Sequence, residues 1–246
     1  MNQCYMNSEV GEILGAFIGD GWIESRGNAI YITGSPSEDR AYYDKFLAPL
    51  FSKHFEKVKP KSFPYWGVYG IVSYKKRVIK ETFSLGFQKG HKSTVAKIPD
   101  WVMNSENMSV VKAVIRGVFD TDGSFWCEKS RSKSSCEWKR THNYHPEMRI
   151  TSCSSVLLSQ IRTLLDEIGI ESNILQKAKK GVKCGRNIHD SFALNIRKIG
   201  QINKWFKIIG TNNPRHQTRH DVWKKLGHLP PYMDINERAN VLDSIT

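Results

Sequence analysis

Ile13-Leu14-Gly15-Ala16-Phe17-Ile18-Gly19-Asp20-Gly21 recurs as Ile115-Arg116-Gly117-Val118-Phe119-Asp120-Thr121-Asp122-Gly123 in the second half of this 246-residue chain. Each copy carries a small residue at every fourth position, Gly11, Gly15 and Gly19 in one and Ala113, Gly117 and Thr121 in the other, and each ends in Asp-Gly. Small residues at that spacing form a smooth stripe on a helix, so two such helices can bring their backbones close. An Asp at the end of each would then lie beside its twin. A single copy would read as a helix stopped by a glycine with an incidental Asp before it. Two copies in equivalent places argue for an internal duplication, which governs the rest of the reading. The same stripe occurs in membrane helices, but the apolar runs here are too short to span a bilayer, and Lys112 and Arg116 interrupt the second.

The chain is strongly basic, with 37 Lys+Arg against 24 Asp+Glu and a net charge of +13, spread through both halves. That pattern fits an extended nucleic-acid surface better than a disordered basic arm. With 39% hydrophobic residues the chain can build a substantial core. Its five cysteines are odd in number and irregularly spaced, which implies no disulfide framework and a reducing, intracellular compartment. Cys127, Cys136, His142 and His145 fall in one short stretch, but without a closely spaced Cys pair they read as a polar loop rather than a zinc site. Neither a signal nor a transit peptide is evident at the N-terminus.

Outward from the first string, residues 8–18 read as a helix with Ser8 as its N-cap. Residues 22–26 and 29–33 read as a hairpin turning at Arg26-Gly27-Asn28. Residues 37–55 form an amphipathic helix kinked at Pro49. Residues 57–73 predict a second hairpin around Pro60 to Pro64, and 75–85 a helix ending near Gly86. The second half repeats the order. A helix covers 109–121, a Lys/Arg/Ser-rich insert 127–146, a strand 148–152 and a helix 154–168. Strands at 171–177 and 190–196 flank a basic turn at 179–186, and a helix at 199–209 follows. Residues 98–107 read as a linker, and the tail from Leu229 as Pro-Pro followed by a helix at 235–242. The expected division is 1–104, 105–228 and a tail 229–246. A second echo supports it: His91 with Lys89 and Lys92 in one half, and His216 with Arg215 in the other, each follow a Gly-ended helix.

Two carboxylates in near contact repel, and one keeps a proton unless a cation intervenes. Helix C-termini add partial negative charge and free carbonyls. The Asp20 and Asp122 carboxylates with the backbone oxygens of Gly19 and Thr121 therefore suit Mg²⁺, or another hard divalent ion such as Mn²⁺ or Ca²⁺ at the same site. Beside a basic surface that attracts phosphates, the predicted chemistry is metal-assisted phosphodiester hydrolysis.

The paired strings are similar to those of single-chain LAGLIDADG homing endonucleases. They match at the small residues, the eighth-position Asp and the final Gly, and the element order after each string also fits, so the resemblance covers nearly the whole chain. It implies an α+β fold of two pseudo-symmetric αββαββα units with saddle-shaped antiparallel sheets, the motif helices lying at the pseudo-two-fold axis. It implies that Asp20 and Asp122 are metal-binding catalytic acids and that the protein makes a staggered double-strand cut in a long DNA site. It also implies basic residues around the metals: Lys89, with Lys92 as its rival, in the first half, and Arg215, near His216, in the second. Ser35 and Ser152, just past strands, are candidate polar neighbours. The copies differ at Ile18 against Asp120 and at Gly19 against Thr121, so the halves are not interchangeable and the expected target is asymmetric.

Two saddles end to end would cover about twenty base pairs. Strand alternation selects the side chains that face DNA. With Ile23, Ile30 and Ile32 inward, Trp22, Glu24, Arg26, Tyr31 and Thr33 point outward. With Ile150, Leu194 and Ile196 inward, so do Arg149, Thr151, Asn195 and Arg197. Basic turns with Lys59 and Lys61, and with Lys177 and Lys179, suit flanking phosphates, as do Lys129, Arg131, Lys133, Lys139 and Arg140 of the insert. The expected partner is double-stranded DNA, bound by a monomer away from membranes. The alternative is an intron-encoded RNA maturase on the same fold, with the intron RNA as partner. A transcription regulator would need a further helix-turn-helix domain, for which the segment after Leu229 leaves little room.

Overall fold

The computed structural model describes residues 6–90, 92–131, 140–183 and 186–244. At its centre two helices cross, α1 (Ser8–Asp20) and α6 (Met108–Asp122), one from each repeated string. The stripe of small residues is their contact. A Cβ on Gly15 would run into the Val114 carbonyl oxygen and come within 3.0 Å of the Gly117 Cα, and one on Gly117 would strike the Glu12 carbonyl. Across the same crossing the buried Glu12 accepts from Nε (2.8 Å) and Nη2 (2.5 Å) of Arg116. Asn7, not Ser8, caps α1, its side chain accepting from the Val10 amide at 2.9 Å. Asn107 caps α6 in the same manner. The glycines that close the strings are not left-handed caps. Gly21 and Gly123 are extended, with φ of −90° and −81°. Glycine is required there because Phe17 and Phe119 lie where a Cβ would go.

Each motif helix runs straight into an antiparallel four-stranded sheet. The first comprises β1 (Gly21–Ile23), β2 (Ile30–Gly34), β3 (Lys61–Phe63) and β4 (Val68–Ser73), in the order β1-β2-β4-β3. The second comprises β5 (Gly123–Arg131), β6 (Arg140–Ser152), β7 (Asn173–Ala178) and β10 (Ser191–Ile196), in the order β5-β6-β10-β7. The registers correspond as well: Gly21 faces Ile32 and Trp22 faces Tyr31, just as Gly123 faces Ile150 and Ser124 faces Arg149. The fold is α+β. Ile23, Ile30, Ile32 and Ile71 of one sheet and Phe125, Met148, Ile150, Leu194 and Ile196 of the other are buried against the helices.

Helices back both sheets. In the first half these are α2 (Arg40–Tyr42), α3 (Ala48–His54) and α4 (Lys76–Ser84); in the second, α7 (Ser155–Glu167), α8 (Ile199–Ile208) and α9 (Pro214–Leu226). The kink expected at Pro49 is a π turn over Tyr43–Leu47, placed just before the proline that cannot donate to the helical ladder.

Several expectations change. The second hairpin turns at 64–67, with Gly67 at φ 65°, rather than around Pro60 to Pro64. The described part of the basic insert is not loop but the long β5–β6 hairpin. The basic turn at 179–186 holds a small hairpin, β8 (Gly181–Lys183) with β9 (Arg186–Ile188). The linker contains a short helix, α5 (Asp100–Met103), and is packed: Ile98 and Val102 are buried, and the Ile98 backbone pairs with Gln160 of α7 in both directions. The tail helix α10 (Ile235–Asp243) buries Arg238, which donates to Glu38 at 2.6 Å and so ties the tail to the first half. Among the described residues no helix is long and apolar enough to cross a membrane.

Candidate active site

The crossing brings Asp20 and Asp122, the last residues of α1 and α6, close enough together that each carboxyl acts on the other's ionisation. Burial, then the charge of Asp122 and then that of Asp39, raises Asp20 from its ordinary 3.8 to about 7. Burial also raises Asp122, opposed by Lys92 and Arg215. Both carboxyls are thereby held toward their protonated forms, a bias that a bound cation would oppose.

Two cations flank the pair in matching positions. Lys92 Nζ donates to the carbonyls of Ile18 and Gly19, the latter at 2.5 Å, at the end of α1. Arg215 Nη2 donates to the carbonyls of Asp120 (3.3 Å) and Thr121 (3.0 Å) at the end of α6. Each thus satisfies orphan carbonyls at a helix C-terminus. Burial pushes Lys92 down to about 8, against the opposing pull of Asp122 and Asp20. The oxygens of Gly19 and Thr121, expected as metal ligands, therefore already accept from these two cations. The structure seats Lys92 at the pair rather than Lys89, which is exposed and forms an isolated bridge with Ile23.

Arg215 is held by a buried polar cluster that spans both halves. Its Nη1 pairs with Asp39 at 3.1 Å, and Asp39 also accepts from Asn213 Nδ2 and the Ser35 amide, each at 2.8 Å. Ser35 thus serves the Asp39 turn. Asn213 donates as well to the Asp120 carbonyl at 2.8 Å, and the Asp120 carboxyl takes the Thr211 hydroxyl and the Asn212 amide. Asn213 caps α9 and Pro214 opens it, so Arg215 stands in the first turn of a helix. Asn-Pro at the start and Gly227, at φ 72°, past the end were legible signals of this helix. His216 faces inward, fully buried against Phe119, and burial drives its ring toward the neutral form. Asp39 and Asn213 carry no motif and were not singled out in the sequence. A cleft of 420 Å³ opens beside the pair, lined by Gly19, Trp22, Lys92, Asp122, Thr151 and Ser152 among others.

The candidate DNA-facing residues divide. Arg26, Lys59, Lys61, Thr151, Lys177, Lys179 and Arg197 are exposed, and Trp22, Glu24 and Arg149 are half-buried. Tyr31, Thr33 and Asn195 sit on the expected face but are buried. Tyr31 is covered by aromatics, stacked on Trp22 with centroids 4.6 Å apart and edge-on to Trp66 and Phe63. Lys129, Arg131 and Arg140 lie in β5 and β6, but their side chains, with Lys133, Lys139 and Cys136, lie outside the described residues, as does His91. Cys127 is in the core, where burial pushes its thiol up to about 12. Among the described residues no group of three metal-ligating His, Cys, Asp or Glu side chains occurs.

Residues 109–210 match the model of a LAGLIDADG-like domain. No curated protein matches the sequence. Among solved structures, one of mesophilic variants of the homing endonuclease I-DmoI is 15% identical, with a TM-score of 0.54 over 83% of this chain and 90% of that one. I-DmoI in complex with DNA and Mn is 16% identical, with a TM-score of 0.55 over 83% of this chain and 97% of that one. The I-DmoI complex with DNA and Ca gives 15% identity and a TM-score of 0.54, over 82% and 90%. With a LAGLIDADG-like domain in its second half and the same motif helix and sheet order in its first, the chain is a two-motif protein of the LAGLIDADG fold.

Proposed function

We propose that this protein is a monomeric, site-specific DNA endonuclease that makes a staggered double-strand cut in a long asymmetric site by divalent-metal-assisted hydrolysis. The observation that carries the reading is the pairing of Asp20 and Asp122 at the ends of crossing helices, flanked by Lys92 and Arg215. The donor chemistry fits a divalent cation: two hard carboxylates lie together, and burial makes their full ionisation costly without a counter-charge. Asp20 and Asp122 would hold the ion, with phosphate oxygens and water completing its shell. When bound, the ion polarises the scissile phosphate and acidifies water.

The chain's own groups do the rest. Lys92 and Arg215, fixed to the carbonyls below them, offset the negative charge that builds on the phosphate as it is attacked. Asp39 and Asn213 hold Arg215 in place. The sheets carry the duplex across the pair. Fold likeness to an endonuclease whose structures hold DNA with Mn or Ca supports the same substrate and a divalent cofactor, with Mg²⁺ as the physiological candidate. Both acids are present, as a cutting enzyme needs, so the RNA maturase reading is not favoured.

The test is incubation with a randomised duplex library and Mg²⁺, followed by sequencing of cut ends. The expected result is one family of asymmetric sites cut on both strands. A protein that cuts nothing while binding a structured RNA tightly overturns the proposal.

A further inference from the structure

The two sheets present different chemistry at the same register. In the first, Trp22, Tyr31 and Val72 stand in a row across β1, β2 and β4; in the second, Ser124, Arg149 and Asn195 occupy that row across β5, β6 and β10. Arg149 is held rigidly. Its Nη2 donates to Glu147 Oε1 at 2.8 Å and its Nε to Asn195 Oδ1 at 2.9 Å, and its guanidinium lies 5.1 Å from the centre of the Trp126 ring. Arg197 pairs with the other oxygen of the same Glu147 at 3.1 Å. Glu147 is 2% exposed, and an acid on a phosphate-facing surface is unfavourable unless it serves another purpose. Bracing two arginines supplies that purpose. Asn195 is 4% exposed, and its Nδ2 donor has no partner among the described residues.

We propose that this cluster reads guanine in the major groove, Arg149 directly with Arg197 beside it, so that the half-site under the second sheet is specified by guanine at the position this row faces and the half-site under the first is not at the matching position. The inference rests on the DNA-binding reading given above. A guanidinium fixed by its inner N–H groups offers its outer ones as a planar fork, which matches the O6 and N7 acceptors of guanine and no other base edge. The first sheet has stacked aromatic rings in the equivalent row, which provide no such fork.

The experiment is selection of bound duplexes from a randomised library by the full-length protein in EDTA, repeated with Arg149→Ala. The wild type is expected to enrich a guanine in one half-site, with a preference of about tenfold or more that Arg149→Ala loses while the other half-site is unchanged. Replacing that guanine by 7-deazaguanine, which lacks the N7 acceptor, is expected to weaken wild-type binding about fivefold or more. This second measurement needs only the wild type and stands even if the variant does not fold. A binding site with no such guanine, or a guanine preference that survives Arg149→Ala, or wild-type indifference to 7-deazaguanine, overturns this inference and leaves the endonuclease reading intact. Enrichment of no sequence at all overturns that reading and this one with it.

Discussion

Asp20→Asn replaces a carboxyl that resists ionisation with a neutral group of the same shape. Because Asp20 is raised from 3.8 to about 7 by burial and by Asp122 and Asp39, the folded protein holds this proton more tightly than the unfolded chain. The stability gained is complete below about pH 4 and drains away as the pH rises to about 7. The displacement corresponds to about 4 kcal/mol, and water entering the cleft reduces it to about 2 kcal/mol. Urea unfolding in EDTA, followed by circular dichroism, measures this directly. Wild type and variant should match near about pH 4, and the variant should be more stable by about 2 to 4 kcal/mol near about pH 8. Saturating Mg²⁺ should narrow the gap by stabilising the wild type. Titrating groups remote from the pair are common to both proteins and cancel in the difference. An advantage that is the same at both pH values, or a wild type more stable than the variant at high pH without a cation, would refute the reasoning.

Three further outcomes follow from the crossing and the pair. Gly117→Ala pushes a Cβ into the Glu12 carbonyl and to 2.7 Å from the Ala16 amide, and is expected to cost about 2 to 3 kcal/mol. Gly11→Ala, whose nearest neighbour would be 3.2 Å away, should cost less than about 1 kcal/mol, and thermal melts showing the reverse order would discredit the close-packed stripe. Arg116→Met leaves the buried Glu12 uncompensated and should cost about 3 to 5 kcal/mol, most of it recovered by adding Glu12→Leu; equal losses in the single and double variants would contradict this. Divalent cation uptake near about pH 6 should release about one proton, measured by calorimetry in two buffers of different ionisation enthalpy, and no release would rule out Asp20 as a ligand.

The repeat made the centre of the molecule legible because it joins geometry to chemistry in nine residues. Small residues at fourth positions can only be neighbours in a close helix crossing, and Asp20 and Asp122 meet as a consequence. Strand alternation placed Ile23, Ile30, Ile32, Ile150, Leu194 and Ile196 inward. It did not foresee that Tyr31 and Asn195, on the opposite face, would be buried by their own neighbours, because period-two reasoning says nothing about cross-strand cover. Lys89 and Lys92 could not be separated by sequence, since both follow the same glycine-ended helix. The turn after Lys92 and the free carbonyls of α1 decide between them. Asp39 and Asn213 were invisible because their partners are remote: Asn213 Nδ2 donates to Asp39 across 174 positions of chain. The α9 helix was missed because its polar, basic sequence lacks an apolar stripe, although Asn213-Pro214 and Gly227 marked both ends.

The central claim is that Asp20 and Asp122 act together as one cation-dependent cutting site. The most direct test is to follow both strands of an end-labelled target duplex with Mg²⁺ and the wild type, Asp20→Asn or Asp122→Asn. The account predicts that the wild type cuts both strands and that each variant cuts neither, while both variants still bind the duplex in EDTA. A variant that cuts both strands at the wild-type rate would contradict it.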